Sequence, residues 1–234
     1  MTKKNIRKRG GRQDIVWLLA VISFVVILAA VVLFIAVRFI RQNFSREASA
    51  EEWDITNEKY VDERPKLDVD LLPENPYSRP GDKLGEVNAV VIHYTANPGT
   101  TARQNRDYFA GLAKSHTTSA SSHFIIGLDG EIVQCIPCSE IAYASNDRNK
   151  DTIAIECCIS DESGKFNSKT YQSLLHLTAW LVGRYELRVE DVIRHYDVTG
   201  KNCPKYFVEH PSAWEQFHND IARYIEEHGV KKEE

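Results

Sequence analysis

The sequence has 234 residues, of which 43% are hydrophobic and 26% are charged, and its formal net charge is −4. This balance is typical of a globular protein and excludes a largely disordered chain. The mildly negative charge gives no indication of nucleic-acid binding, and the length accommodates one ordinary domain with additional segments.

The first clear pattern is the uncharged run over residues 15–37, IVWLLAVISFVVILAAVVLFIAV. As a helix it would be roughly 34 Å long, enough to cross a hydrocarbon core of about 30 Å. A cleaved signal peptide has a shorter apolar region that ends in small residues, whereas Arg38, Phe39 and Ile40 follow this run. A buried core helix is the alternative, but such helices usually keep a polar face. The run therefore predicts one transmembrane signal-anchor helix.

The charges that flank this run predict its orientation. Six basic residues precede it, namely Lys3, Lys4, Arg7, Lys8, Arg9 and Arg12. Fewer basic residues follow it, and acidic residues begin at Glu47. Because basic residues stay on the cytoplasmic side, residues 1–14 are predicted to form a cytoplasmic tail, with everything after the span outside the cytoplasm. A nucleic-acid-binding arm is the alternative for this tail, but its position beside the span favours single-pass membrane topology.

Residues 38–82 differ in composition from both neighbouring segments. They are rich in Glu and Asp, and they contain Pro65, Pro73, Pro76 and Pro80. Acidic segments with several prolines are typical of extended linkers. We therefore predict an extracytoplasmic stalk with room for one short helix.

Residues 83–229 alternate between patterns typical of strands and of helices, and residues 230–234 are expected to form a charged tail. We predict strands over 87–93, 152–159 and 191–195, a hairpin over 123–137 that turns at Asp129-Gly130, and helices over 101–112, 169–185 and 211–226. Thr100 or Thr101 is the expected cap of the first helix. This alternation predicts an α/β domain with a mixed central β-sheet flanked by helices.

Three residues of this domain have side chains that bind zinc. His93 closes the first predicted strand, His195 closes the last one, and Cys203 follows eight residues later. Two imidazoles and a thiolate match a tetrahedral zinc shell with one open position, as hydrolytic zinc sites require. Each residue alone has a simpler interpretation, since a lone histidine is often hydrogen-bonded at a strand end and a lone cysteine often packs in a core.

Three motifs give this combination a family context: VVIHYTA at 90–96, TIAIE at 152–156 and RHYDVTGKNCP at 194–204. Together with SSHFIIGLDGEIVQCIP, they resemble the type 2 N-acetylmuramoyl-L-alanine amidases, which are related to phage lysozyme-type amidases and peptidoglycan recognition proteins. The resemblance covers nearly all of residues 83–227, without the span or the stalk. It implies the fold of those proteins and hydrolysis of the amide between N-acetylmuramic acid and L-alanine in peptidoglycan.

The resemblance also implies roles for individual residues. The positions that match zinc ligands are His93, His195 and Cys203. Glu156 matches the catalytic carboxylate, and its place at the end of an apolar strand is costly unless it has a function, such as taking a proton from water and giving it to the leaving amine. Lys201 matches a lysine close to the substrate oxygen, where its charge would stabilise an oxyanion. A structural ion pair is the alternative for Glu156, and a solvated loop position is the alternative for Lys201.

Two positions depart from the family pattern. Ser122 stands where some members have a tyrosine, so a role for that tyrosine is lost. The segment from Tyr143 to Ser145 lacks the histidine that members often have there, which leaves the substrate contacts on that side open.

The remaining cysteines have structural interpretations. Cys135 and Cys138 form a C-x-x-C, which we interpret as two thiols, with a disulfide as the alternative. Cys157 and Cys158 are adjacent in a strand, so they should face opposite sides and pack in the core.

The other histidines and several tyrosines also have structural interpretations. His123 is expected to be a hydrogen-bonded core histidine rather than a support for the site, and His116 is expected to face water. Tyr94, Tyr196 and Tyr206 flank the motifs, and they either shape a groove for sugar and peptide or only pack.

Three functions are compatible with these patterns. The first is a membrane-anchored, Zn²⁺-dependent amidase whose partners are peptidoglycan and, through the N-terminal helix, the membrane. The second is a peptidoglycan-recognition module without catalysis, although such modules typically lose the cysteine or the carboxylate that this sequence keeps. The third is a zinc hydrolase of another amide, which the family resemblance alone disfavours. The sequence does not indicate an oligomeric state.

Overall fold

The computed structural model describes residues 17–38, except for residues 20, 25 and 26, and residues 58–232. The chain divides into two compact units, residues 1–50 and residues 51–234. In the first unit, helix α1 (Trp17–Arg38) has 22 residues and a mean hydropathy of 3.3 over its most apolar stretch. Length and composition alone make α1 a candidate membrane span. The predicted cytoplasmic tail over 1–14 lies outside the described residues.

The second unit is built on a mixed β-sheet. The strands in chain order are β1 (Lys59–Tyr60), β2 (Asp68–Val69), β3 (Ala89–Tyr94), β4 (Phe124–Ile126), β5 (Ile132–Gln134), β6 (Thr152–Cys157), β7 (Val192–Arg194) and β8 (Val230–Lys231). Six of them form one sheet in the order β2-β5-β4-β6-β3-β7, while β1 pairs with β8. Strand β3 runs parallel to β6 and β7, and β4 runs parallel to β6. Strands β4 and β5 form an antiparallel hairpin.

Helices cover both faces of this sheet. Helix α2 (Ala102–Ser115) packs on one face, and α3 (Ser168–Arg184) packs on the other. Two short helices, α4 (His195–Thr199) and α5 (Lys205–Glu209), connect β7 to α6 (Pro211–His228), which packs against α3. The α/β class with a mixed, helix-flanked sheet is therefore confirmed.

The alternation of side chains along the strands explains this three-layer arrangement. In β3, Val90 and Ile92 point towards α3 and α6, where they join the larger apolar core. On the opposite face, Ile125 of β4 joins a smaller core under α2, together with Phe109 and Leu112 of that helix. Because both faces are covered, the central strands are apolar at almost every position, which is the pattern that made them recognisable in the sequence.

Local signals explain where the first long helix begins. Thr101 is the N-cap of α2: its hydroxyl accepts the backbone N–H of Gln104, and the Gln104 side chain accepts the N–H of Thr101. This reciprocal capping satisfies two backbone donors that the first helical turn leaves free. The predicted cap at Thr101 is confirmed, and the helix continues to Ser115, three residues beyond the predicted end.

One predicted boundary differs in a way that matters for the site. His195 was expected to close a strand, but β7 ends at Arg194 and His195 is the first residue of α4. The side chains of Arg194 and Asp197 cap this helix, because the Asp197 carboxylate accepts both the backbone N–H and the guanidinium of Arg194. The helix start thus turns the chain immediately after the strand.

Residues 58–82, which we call the strap, belong to the folded unit, where the sequence indicated an extended stalk. Leu72 is fully buried under the sheet, and its N–H donates to the carbonyl of Cys135 at 2.9 Å. Arg79 forms a two-pronged ion pair with Glu140 at 2.7 and 2.8 Å. The composition concealed these contacts because two-residue strands and single buried side chains have no periodic pattern.

The end of the described chain also takes part in the fold. Residues Val230–Lys231, expected in a charged tail, form β8 against β1, and the N–H of Lys232 donates to the carbonyl of Glu58 at 2.9 Å. The ammonium of Lys59 lies 2.5 Å from the carboxylate of Glu226 at the end of α6. The start of the strap and the segment after α6 therefore stabilise each other through strand pairing and hydrogen bonding.

Candidate active site

The parallel strands place three predicted site residues at one edge of the sheet. His93 and Glu156 are direct partners in the pairing of β3 with β6, and β7 on the other side of β3 leads into His195. Glu156 is also the partner of Ile125, which faces α2. Since paired residues share a face, His93 and Glu156 lie on the α2 side at the carboxyl ends of their strands, where open α/β sheets bind ligands.

A tight reversal after α4 brings Cys203 back to the same place. Helix α4 ends at Gly200, whose φ of 76° is a left-handed conformation that residues with a Cβ adopt reluctantly. The N–H of Gly200 donates to the carbonyl of Tyr196 at 2.7 Å, and the N–H of Tyr196 donates to the carbonyl of Cys203 at 2.9 Å. These bonds fold residues 200–203 back over the helix, so that the thiol faces the histidines.

His93, His195 and Cys203 form a compact cluster of possible metal ligands. One ligand atom of each lies within 4.8 Å of the others, and all three residues are buried. Nδ1 of His93 is 3.8 Å from Sγ of Cys203, and the two imidazole centroids are 4.6 Å apart. Separations of this size fit a single cation held between the three groups at ordinary zinc–nitrogen and zinc–sulfur bond lengths.

The surroundings favour neutral imidazoles in this cluster. Burial lowers the pKa of His93 well below its usual value, and the charges of His195 and Lys201 lower it further. Burial and Lys201 also lower the pKa of His195. A neutral imidazole has a free lone pair for a metal, so the rings are in the form that coordination requires.

The protonation state of the Cys203 thiol depends on whether a cation is bound. Burial raises the pKa of Cys203 to about 12, and the nearby charge of Glu156 raises it as well. A divalent cation reverses this tendency, because a coordinating thiol is deprotonated outright. The donor set of two imidazoles and one thiol therefore fits zinc, and the negative sulfur would help to hold it.

Glu156 has the environment of a general base. The residue is half-buried, but its Oε2 atom is sealed from solvent and has no hydrogen-bond partner in the described part of the chain. Burial raises the pKa of Glu156 to about 7, although the charge of Lys201 acts in the opposite direction. A carboxylate poised near neutral pH and free of a structural ion pair can both accept and return a proton.

A groove of about 530 Å³ opens in front of these residues. Lys201 is exposed at its rim, and its walls include Tyr94, Asn105 and Tyr108 as well as Glu156 and the zinc-binding candidates. Tyr94 therefore shapes the groove, whereas Tyr206 stacks on His210 with ring centroids 4.2 Å apart. Tyr196 is exposed and lies under the Arg194 guanidinium at 5.2 Å, outside the groove lining.

The other singled-out cysteines lie away from the cluster. All five cysteines of the chain lie in the described segments and are free thiols. Cys135 packs in the core under α2, whereas Cys138 packs against the opposite core, which separates the two sulfurs of the C-x-x-C. Cys157 and Cys158 likewise enter opposite cores, so the prediction of opposite facing is confirmed.

Three polar residues near the motifs have structural contacts. His123 is fully buried, accepts the N–H of Ala154 at 3.0 Å and contacts the carbonyl of Glu140 at 2.9 Å, which confirms a hydrogen-bonded core histidine. The Ser122 hydroxyl is directed to the Phe124 carbonyl at 2.6 Å. His116, expected simply to face water, ends α2 in a left-handed conformation and stacks on Tyr77 with ring centroids 4.3 Å apart.

Two residues that contact the histidines were missed in the sequence. The Ser145 hydroxyl lies 3.2 Å from Nε2 of His93, and Oδ1 of Asn146 lies 3.2 Å from Nε2 of His195. Ser145 ends the segment that lacks the family's histidine, and Asn146 follows it directly. A serine next to an asparagine is an ordinary loop sequence, so these contacts become visible only when the fold brings the turn to the site.

Comparisons with known proteins identify relatives of this chain. The family model described as N-acetylmuramoyl-L-alanine amidase matches residues 83–206. The N-acetylmuramoyl-L-alanine amidase CwlL of Bacillus licheniformis is 35% identical over 180 residues, covering 71% of this chain and 49% of that protein. The N-acetylmuramoyl-L-alanine amidase BlyA of Bacillus subtilis (strain 168) is 31% identical over 182 residues, covering 69% of this chain and 48% of that protein. The chain thus spans about half the length of these relatives.

Solved structures share the fold. The catalytic domain of XlyA is 26% identical with a TM-score of 0.56, and the match covers 67% of this chain and 99% of that domain. PlyL, at 21% identity and a TM-score of 0.56, has the same fold over 67% of this chain. Since the family model spans more than half of the 234 residues, including His93, Glu156, His195, Lys201 and Cys203, the chain belongs to the type 2 N-acetylmuramoyl-L-alanine amidase family.

Proposed function

We propose that this protein is a zinc-dependent N-acetylmuramoyl-L-alanine amidase that cuts peptidoglycan. The observation that carries the proposal is the Oε2 atom of Glu156, which is sealed from solvent and has no hydrogen-bond partner among the described residues, beside the His-His-Cys cluster. A module that only bound wall fragments would have no use for so costly a group. The relatives CwlL and BlyA, which carry the name of this activity, support the same reaction.

In this proposal, His93, His195 and Cys203 hold the zinc ion. Zinc at this place supplies Lewis-acid polarisation of the scissile carbonyl and makes a water molecule more acidic. Three protein ligands would leave one of four coordination positions of a zinc ion free for water or substrate, as in catalytic rather than structural zinc sites.

Glu156 and Lys201 carry out the remaining chemistry. Glu156 takes a proton from the attacking water, and its pKa of about 7 allows it to return that proton to the departing amine of L-alanine. Lys201, exposed at the rim of the groove, places its positive charge where the carbonyl oxygen becomes negative.

We further propose that α1 anchors the protein in the membrane, with the catalytic unit outside the cytoplasm. The apolar length of α1 and the basic residues before it support this topology. An anchored amidase acts on the wall layers next to the membrane, since the segment between α1 and the strap limits its reach.

The test uses the full chain in detergent, purified cell walls and mass spectrometry of the products. We expect release of stem peptides with a free amino group on L-alanine, without shortening of the glycan strands. A chelator should stop the release, and added Zn²⁺ should restore it. Binding of wall fragments without peptide release would favour the recognition module. Cleavage of another bond would favour a zinc hydrolase with a different substrate.

A further inference from the structure

The turn over residues 144–149 contacts both histidines of the His-His-Cys cluster. Its two consecutive residues Ser145 and Asn146 contact the two histidines, one each, over sequence separations of 52 and 49 residues. Both contacts involve the same ring atom, Nε2. We propose that this turn positions the two imidazoles for the metal, and that Ser145 and Asn146 fix which nitrogen of each ring can bind it. The inference rests on the proposed zinc site.

The ring geometry follows from these contacts. When Ser145 accepts a hydrogen bond from Nε2–H of His93, the proton is held there and Nδ1 keeps its lone pair. That Nδ1 is the atom that faces Sγ of Cys203 at 3.8 Å. Asn146 is placed to hold a proton on Nε2 of His195 in the same way, which leaves Nδ1 of that ring with its lone pair. Hydrogen bonds of this kind orient metal-binding histidines and increase their basicity.

The turn is rigid without any help from the histidines. Oδ1 of Asn149 accepts the backbone N–H groups of Ala144 at 3.0 Å and Ser145 at 2.5 Å. The turn is also tied to the rest of the fold, because the N–H of Tyr143 donates to the Ser121 hydroxyl at 2.9 Å. The two acceptors are therefore set in place by the backbone, and the imidazoles adjust to them.

The two contacts differ in their exposure, which predicts unequal effects. Ser145 is fully buried, so no water can replace its hydroxyl when it is removed, and the N–H of His93 loses its partner. Asn146 is exposed, and water can take over part of its role. Its φ of 51° is a left-handed conformation, which glycine also adopts without strain. Asn146→Gly thus removes the amide and preserves the backbone.

The test measures zinc affinity, by competition with a chelator, for the full chain in detergent. We expect Ser145→Ala to weaken zinc binding roughly 10–100-fold, and Asn146→Gly to weaken it by less. Asn146→Asp should bind zinc at least as tightly as the wild type, because a carboxylate is a stronger acceptor for the same N–H. The absorption spectrum of the Co²⁺-loaded protein should change in Ser145→Ala, since the ligand geometry changes.

The matched control is Ser78→Ala. Ser78 is also fully buried, and its hydroxyl also accepts a side-chain N–H, from Asn75 at 2.9 Å, but it lies in the strap. It should lose stability without losing zinc affinity or altering the Co²⁺ spectrum. Zinc affinity in Ser145→Ala within twofold of the wild type would overturn the inference, as would an equal loss in Ser78→Ala.

Wild-type measurements separate this inference from the proposed function. A wild-type protein that binds zinc but releases no stem peptide would overturn the amidase proposal and leave the positioning turn intact. A wild type that cuts the wall while Ser145→Ala keeps full zinc affinity would overturn the positioning turn alone. A wild type without any zinc affinity would overturn both.

Discussion

At the residue scale, a substitution at Glu156 can distinguish a role in the catalytic step from a role in zinc binding. It lies beside His93 in the sheet but is not a member of the His-His-Cys cluster. Glu156→Gln keeps the shape and removes the base, so we expect turnover on cell walls to fall about 10²–10⁴-fold. Zinc content should stay the same. Glu86→Gln, an exposed change before the start of β3, is the control and should keep normal turnover. Near-normal turnover in Glu156→Gln would remove this residue from the mechanism.

His123 makes stability depend on pH. Burial lowers its pKa to about 4, whereas an unfolded histidine titrates near about 6.5. Between these values the unfolded chain binds a proton that the folded chain does not. The contribution of His123 is therefore fully present above about pH 6.5, declines as the pH falls, and is lost below about pH 4, a change on the order of 3 kcal/mol.

The measurement is urea unfolding at pH 7 and at pH 4.5 for the wild type and His123→Gln. The variant should be less stable at pH 7, because it loses the bonds to Ala154 and Glu140, but its stability should change less with pH. Groups common to both proteins, including the zinc-binding candidates, cancel in the comparison. Equal pH dependence in the two proteins would contradict the assignment.

At the element scale, the strap extends the folded unit from the predicted start at residue 83 back to residue 58. Leu72 is fully buried, whereas its neighbour Leu71 is 36% exposed, so the two leucines form a matched pair. Leu72→Ala should lower the free energy of unfolding by about 2–5 kcal/mol, as buried leucine truncations do. Leu71→Ala should change it by less than about 1 kcal/mol. Denaturant unfolding measures both, and a small effect of Leu72→Ala would mean that the strap does not pack in solution.

The strap also illustrates which parts of the fold a single sequence reveals. Strands β3 and β6 were recognisable because parallel strands covered on both faces are apolar throughout. Helix α2 was recognisable through Thr101 and Gln104, which act locally. Strand β2 has two residues, both exposed, and its partner β5 lies more than sixty residues away. No local pattern specifies such a pairing, and the acidic residues and prolines around it indicate a linker instead.

The candidate site likewise contains some residues that the sequence reveals and others that only the fold reveals. His93, His195 and Cys203 could be identified because histidine and cysteine are chemically distinctive and stand in recognisable motifs. The strand that was predicted to end at His195 ends at Arg194 instead, since the capping by Asp197 starts a helix at His195. Ser145 and Asn146 were missed because their contacts depend on the position of a turn, which is a property of the whole fold.

At the scale of the whole molecule, the proposed topology makes a direct prediction. Glu86 is exposed in the catalytic unit, whereas Thr2 belongs to the basic segment before α1. The native thiols are buried or half-buried, so an introduced cysteine will dominate labelling. In intact cells, a membrane-impermeant maleimide should label Glu86→Cys and spare Thr2→Cys until the membrane is opened. The reverse pattern would invert the orientation.

Because β1 pairs with β8, the two ends of the catalytic unit lie side by side, although no covalent bond joins them. The backbones of Glu58 and Lys232 are joined by a hydrogen bond of 2.9 Å, so the chain enters and leaves the unit at one point. A few residues could link these positions covalently, and the chain could be opened at the exposed residues Asp161 to Ser163 to provide new ends. A tether attached after Lys232 would therefore hold the unit at the same corner as the segment that precedes Glu58.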